Sequence, residues 1–526
     1  MRAGLALVLL LAALARDGSA QRTRAERTDY RETSSYADVL GFLDSLRALG
    51  APIVVDTLAL SPAGRVVPYV LAMRPRIGGP AEARRSGKPV VYLQANIHAG
   101  EVEGKEAAQM LLRDLTLGPL RPLLDSVVLL VVPIYNADGN EALAPGEENR
   151  PGQNGPAVVG RRANGGGLDL NRDYVKLEAP ETRGTARLLA AWDPDLFVDL
   201  HTTNGSYHGY ALTFAAGLNP NATPANDYTR DRFLPEVRER MRRRHGRATF
   251  WYGNFRNQEP DSLAAGWETY DPRPRFGANW AAMQGRIAIL SEAYSNDDFR
   301  TRVAATYEFM REVLSLAAER GGEIRYAVAE SRGGGDSIAV RSALAEPRLD
   351  EVVAEITREA GEGSGGFARR RRTGVYRTIR MPVYDRFAGA RREARPAAYL
   401  FPSHLSEAAA LLRRHGIEVR RLGETWRGPV ERFAIDSVVA GAPFEGHRPL
   451  RQEGHWLPES AGEAGPGWFA VGTDQRLGLL AGYLLEPASE DGVATWNFLT
   501  PEPAAGAHSP IIRSRGPVRA AGDVVP

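Results

Sequence analysis

The chain has no cysteine among its 526 residues. That excludes a disulfide-stapled fold, and it excludes a lipoprotein, whose lipid anchor needs a cysteine. Any metal must therefore be held by histidines and carboxylates. An excess of one charge is also missing: 66 basic residues stand against 64 acidic ones, a net charge of +2. Nucleic acid is excluded as the main partner, because the basic footprint it requires is absent. The one dense basic run, "FARRRRTGVYR" at 367–377, reads as a solvated linker. Long apolar runs are lacking too, apart from "LALVLLLAALA" at 5–15, which is too short to span a bilayer. Arg2 precedes that run and Gly18-Ser19-Ala20 follows it, so residues 1–20 read as an export signal with Gln21 as the first mature residue. A secreted or periplasmic protein is expected, with no stable membrane insertion once the signal is removed. Little mature sequence precedes Ser34, so no pro-segment is expected.

What is present is ordinary globular composition, 43% hydrophobic and 25% charged, over a length that suits two or three domains. Apolar spacing predicts a helix over 34–49, capped by Ser34 or Ser35. Strands are predicted at "IVVDTLALS", "RVVPYVLAM", "KPVVYLQANIH", "SVVLLVVPIY", "LFVDLH" and "RIAILSEAY". Helices are predicted over 103–117, 180–192 and 302–320. This alternation implies an α/β fold with a mixed, mostly parallel sheet flanked by helices, spanning 21–325. Gly-rich stretches mark a linker over 326–372 that contains a helix at 346–360. A second, smaller C-terminal α/β or α+β module occupies 373–526, as an accessory domain.

Three predicted strands end in a histidine or a glutamate. "VVYLQANIH" ends in His98, with Glu101 just beyond; "LFVDLH" ends in His201; "IAILSE" ends in Glu292. Ligand crevices of open α/β sheets lie outside the carboxyl ends of the strands, so these four side chains can converge. Two histidines and one carboxylate suffice for a catalytic zinc, and a further carboxylate suits a general base. Gly100 would let the chain turn so that His98 and Glu101 face one ion. His208, in a loop near His201, is the weaker ligand candidate because it does not end a strand. His447 and His455 share one loop-like stretch without ligand spacing.

The ordered set "ALSPAGRVVPYVLAM", "NIHAGEVEGKEA", "VPIYNADGNE", "LDLNRDY", "DLHTTNG" and "ILSEAY" resembles the zinc carboxypeptidases, the carboxypeptidase A-like metallopeptidases, over about 34–314. The resemblance implies one Zn2+ per chain, held by His98, Glu101 and His201, with Glu292 activating water. It implies that Asn171 and Arg172 bind a substrate's terminal carboxylate, which makes the enzyme an exopeptidase. Arg162, or its neighbour Arg161, stabilises the oxyanion. Tyr270 stands where the family has a tyrosine above the substrate, with Trp280 as the alternative. Arg273 and Arg275, in a Pro-rich loop, either face an acidic substrate or are solvated. The implied partner is a peptide or small amide with a free carboxylate. A secreted metallocarboxypeptidase is the first reading. An amidase or deacylase acting on cell-wall peptides or N-acyl amino acids is the second, and a binding protein with a dead site is the third.

Overall fold

Helix α1 (Tyr36–Ala48) begins at Ser35, which satisfies two orphaned donors at once. Its hydroxyl accepts from Asp38 N, and the Asp38 carboxylate accepts from Ser35 N. Val39, Phe42, Leu43 and Leu46 then point into the core at helical spacing. These elements come from a computed structural model that describes residues 21–221, 224–332, 334–359, 370–518 and 524–525. The export signal expected over 1–20 lies outside the described residues. Among the described residues, no helix is long and apolar enough to cross a membrane.

Strands β1 (Ile53–Leu60) and β2 (Val66–Ala72) form an antiparallel hairpin. Then follow β3 (Val90–Ala95), α2 (Glu103–Thr116), β4 (Val128–Val132), α3 (Pro180–Trp192) and β5 (Leu196–Thr202). After these come β6 (Leu212–Ala216), α4 (Leu234–His245), β7 (Thr249–Trp251), α5 (Gly277–Met283), β8 (Ile287–Ala293) and α6 (Phe299–Glu319). The eight strands form one sheet in the order β1-β2-β4-β3-β5-β8-β6-β7. Its centre, β4-β3-β5-β8, is parallel, while β1 and β2 on one side and β6 against β8 on the other are antiparallel.

Every residue of these four central strands is buried, so both faces need cover. Alternation divides β3 between two layers. Val91, Leu93 and Ala95 join the core under α1, α2, α4 and α6; Val90 and Tyr92 join the core under α3 and α5. The register pairs Ala95 with Leu200 and His201 with Glu292. The carboxyl ends of β3, β5 and β8 therefore finish level with one another, and this is what positions the site.

Beyond the sheet the sequence-based expectation needs correction. The helix expected over 346–360 is a strand. β9 (Ser337–Leu344) pairs with β12 (Phe387–Ala394), and β10 (Arg348–Glu359) pairs antiparallel with β11 (Arg370–Tyr384). Val352, Ala354 and Ile356 share the inner face of β10 at a period of two, and branched Val352, Val353, Ile356 and Thr357 suit a pleated ladder better than a helix. The basic run is likewise not simply solvated. Arg370 and Arg372 open β11, and Arg372 Nε donates to the buried Glu355 carboxylate at 2.6 Å.

The last part contains β13 (Ala398–Phe401), α7 (Ser406–Arg414), β14 (Arg420–Arg421), β15 (Trp426–Ala440), β16 (Leu450–Ala464), β17 (Phe469–Gly472), α8 (Gly478–Leu485) and β18 (His508–Ser514). Its six strands are ordered β14-β17-β13-β18-β15-β16. One apolar cluster runs from Tyr174 and Trp280 in the first layer to Tyr399, Leu412 and Trp496 here, so the two parts share a core.

Candidate metal centre and active site

After β3 the chain turns through Asn96, which holds a φ of 66°. Glu101 N donates to His98 O at 2.9 Å, and this short turn aims both side chains at the same point before α2 begins. Gly100 serves a different purpose from the one expected. A Cβ there would lie 3.1 Å from Gly160 O and 3.3 Å from Arg150 Cβ, so the glycine admits the neighbouring loop rather than a left-handed turn.

His98, Glu101 and His201 come together, all buried, with one ligand atom from each within 4.8 Å of the others. His98 Nδ1 is 3.0 Å from Glu101 Oε1, His201 Nδ1 is 3.1 Å from Glu101 Oε2, and the two Nδ1 atoms are 3.2 Å apart. Each imidazole presents its other nitrogen to a carboxylate: His98 Nε2 is 3.1 Å from Asp169 Oδ1, and His201 Nε2 is 2.9 Å from Asp199 Oδ2. Such partners fix tautomer and ring orientation for metal ligands. The donor set, two nitrogens and a carboxylate with an open side, fits a catalytic zinc.

The electrostatics describe a cluster that wants a cation. Burial alone would raise the Glu101 carboxyl, but the charges of His98 and Arg150 and hydrogen bonds from both histidines hold it well below the ordinary range. Burial disfavours the His201 cation, yet Asp199 and then Glu101 carry it well above the usual imidazole value. Asp169 is likewise held low, with burial overcome by His98, Arg162 and Arg172. Glu292, opposite His201 across the β5–β8 ladder, behaves differently. Burial pushes it up to about 8, against the lowering effect of His201, and Glu101 pushes the same way as burial. Its Oε2 is buried without a hydrogen-bond partner. A divalent ion nearby would lower that value, since a metal reverses the local preference for the neutral acid.

The cavity over the triad, about 150 Å³, is lined by Arg162, Asn171, Arg172, Tyr252, Tyr270, Phe276, Ala278, Leu290 and Glu292. A cleft of about 210 Å³ adjoins it through His98, Glu101 and Arg162 and continues past Gln153, Asn204 and Tyr207. The Arg172 guanidinium stacks 4.0 Å over Phe276, and its Nη1 donates to Asn171 O at 2.8 Å. The Asn171 amide is engaged on both sides: Oδ1 accepts from Gly277 N at 2.8 Å, and Nδ2 stands 3.3 Å from His201 Nε2. The two candidate arginines separate. Arg162 lies 3.5 Å from Glu101 Oε1 and donates to Asp169 Oδ2 at 2.9 Å, whereas Arg161 turns away to Asn164 O.

Tyr270 lines the cavity, with its hydroxyl 3.3 Å from Asn279 Oδ1. Trp280 does not: it is buried, and its Nε1 donates to His415 Nδ1. His208 is enclosed by Tyr210, Trp267 and Tyr294 and lies outside the triad. Arg273 is paired with Asp271, and buried Arg275 with Asp491, so neither faces substrate as a free cation. His447 contacts Glu178 and His455 contacts Asp436; among the described residues only the His98, Glu101 and His201 group has metal-ligand geometry.

Arg150, Asp169, Asp199 and Tyr252 were not among the residues expected from sequence. Asp199 was open to inference, since strand alternation puts it on the same face as His201. Arg150 was not: it comes from an aperiodic loop and ends 3.4 Å from Glu101 Oε1.

Residues 55–249 match a family model described as zinc carboxypeptidase. Carboxypeptidase 2 of Trichophyton rubrum is 25% identical over 466 residues, covering 83% of this chain and 78% of the relative. Carboxypeptidase 2 of Trichophyton tonsurans is 24% identical over 470 residues, with the same coverage of 83% and 78%. Among solved structures, a metallo-carboxypeptidase from Burkholderia cenocepacia is 18% identical with a TM-score of 0.41, over 55% of this chain and 70% of that one. Carboxypeptidase A from Helicoverpa armigera is 16% identical with a TM-score of 0.40, over 55% and 74%.

Proposed function

We propose that the chain is a member of the zinc carboxypeptidase family, a secreted enzyme that removes C-terminal residues from peptides with one zinc ion per chain. The observation that carries this reading is a single cavity holding the His98, Glu101 and His201 triad, an unpartnered buried Glu292 and a guanidinium, Arg172, at its wall. Bound by the triad, zinc supplies Lewis-acid polarisation of the scissile carbonyl and acidifies water at neutral pH.

The chain's own residues do the rest. Glu292, whose buried Oε2 has no other hydrogen-bond partner, takes a proton from the attacking water and returns it to the leaving amine nitrogen. Arg162, facing both the cavity and the adjoining cleft, meets the charge that develops on the carbonyl oxygen. Arg172 binds the substrate's free carboxylate, which an internal peptide bond does not offer. Asn171 joins it by releasing one of its two present contacts. Tyr270, with Tyr252 and Phe276, covers the departing residue. Tyr252, Phe276, Ala278 and Leu290 give that side chain an apolar surround, so apolar C-terminal residues are preferred.

Incubating zinc-loaded mature protein with a diverse peptide pool, followed by mass spectrometry, tests the proposal against Glu292→Gln as control. Stepwise loss of C-terminal residues, absent in the control, is expected. An untrimmed pool would overturn the carboxypeptidase reading and turn attention to amidase or deacylase substrates.

A further inference from the structure

The C-terminal module reaches the active site. Between β15 and β16 the chain forms a loop whose tip is a two-residue turn: Phe444 N donates to His447 O at 2.8 Å, and His447 N donates to Phe444 O at 3.0 Å. The residues between them, Glu445 and Gly446, hold φ values of 49° and 77°, the positive pair that a type I′ turn demands. Glycine meets that demand freely and glutamate does not, so the turn holds Glu445 in a costly conformation. The tip packs on the segment after α8, with Phe444 and His447 against Trp496.

From this tip, Glu445 Oε2 accepts a hydrogen bond from Asp169 N at 3.0 Å. Asp169 caps the short turn that carries Asn171 and Arg172, its Oδ1 accepting from Asn171 N at 2.9 Å. The same module grips the rest of that segment: His415 Nε2 reaches Val175 O at 2.9 Å, Lys176 lies 4.7 Å over the Trp496 ring, and His447 Nε2 is 2.8 Å from Glu178. Asp491 accepts from Arg275 N and Nε, both at 2.9 Å, which fixes the start of the Phe276–Ala278 wall.

We propose that the C-terminal module is part of the substrate-recognition apparatus, and that Glu445 is a positioning residue that sets Arg172 for the substrate carboxylate by fixing the backbone of Asp169. This rests on the reading of Arg172 given above. The module thus acts on affinity for the free C-terminus, through a contact made at the wall of the cavity rather than on the reacting atoms.

The test is steady-state kinetics of the full mature chain, zinc-loaded, on an N-blocked dipeptide ending in leucine. Glu445→Ala, Glu445→Gln and Arg172→Ala are compared with wild type, with melting temperature and zinc content measured for each. Loss of one charge-assisted hydrogen bond predicts a KM raised about tenfold in Glu445→Ala. Turnover, melting temperature and zinc content stay near wild type, and Glu445→Gln, which keeps an acceptor oxygen, restores KM. An unchanged KM in Glu445→Ala, or a loss of turnover or zinc in its place, overturns the proposal; so does a Glu445→Gln variant as impaired as Glu445→Ala. If Arg172→Ala raises KM while Glu445→Ala does not, the hairpin proposal alone fails. If neither raises it, the carboxylate reading fails with it.

Discussion

Glu292 and its surroundings carry the sharpest prediction. The Glu292→Gln side chain has nearly the same shape but can no longer take a proton, while His98, Glu101 and His201 are untouched. Turnover should fall about a hundredfold or more with zinc content unchanged; measured turnover near wild type would remove Glu292 from the role of base. Asp199 acts one step back. It holds His201 Nε2 at 2.9 Å and so leaves Nδ1 for the ion. Asp199→Ala should weaken zinc binding about 10- to 100-fold, read by competition against a chelating dye. The cavity wall makes a third statement. Arg273 and Arg275 are committed to Asp271 and Asp491, and Tyr252, Phe276, Ala278 and Leu290 offer no counter-charge. Peptides differing only in the last residue should therefore be cleaved faster with Leu than with Glu or Lys, by about tenfold or more in kcat/KM, because an unpaired charge would be buried there. Equal rates would contradict that apolar surround.

At the scale of elements, the central strands and their helices were legible because their signals are local. Continuous apolar runs marked β4, β5 and β8, and 3.6-residue spacing marked α1 and α2. The clustering of His98, Glu101 and His201 followed, since each of them ends or follows such a strand. Strand β10 was missed because "LDEVVAEITRE" has the charges of a surface helix, and its partner β11 begins beyond a Gly-rich stretch. Only the pairing, which no single segment contains, decides it. Arg150 and Glu445 were missed for the same reason: both come from loops whose destination depends on the packed whole. Glycines at element contacts show how tight that packing is. A Cβ on Gly104, in the first turn of α2, would lie 2.9 Å from Leu200 Cβ in β5, one residue before His201. Gly104→Val should cost about 1–3 kcal/mol of stability in urea unfolding, the usual penalty of overpacking, and an unchanged midpoint would show that α2 can shift away from the sheet.

On the scale of the whole molecule, the question is what couples the C-terminal module to the catalytic sheet, and His415 offers a measurable answer. It sits just after α7 and bridges the two parts, accepting from Trp280 Nε1 at 3.1 Å through Nδ1 and donating from Nε2 to Val175 O. This arrangement requires the neutral ring, because protonation of Nδ1 destroys the acceptor. Burial lowers His415 from an ordinary 6.5 to about 4, with the hydrogen bond to Val175 opposing the shift and the nearby Arg414 charge adding to it. The sign follows from which state takes the proton first. Below about pH 6.5 the unfolded chain protonates while the folded one does not, so this contribution is complete above that pH and is lost as pH falls towards 4. Between near pH 7 and near pH 5 the loss amounts to about 2 kcal/mol. His415→Gln keeps a donor and an acceptor but does not titrate. Its unfolding free energy should lie below wild type near pH 7, and the gap should narrow by about 2 kcal/mol near pH 5, read by urea titration at both values. A gap that stays constant across that range would mean that His415 is not the group whose neutrality joins the module to α5, which bears Trp280.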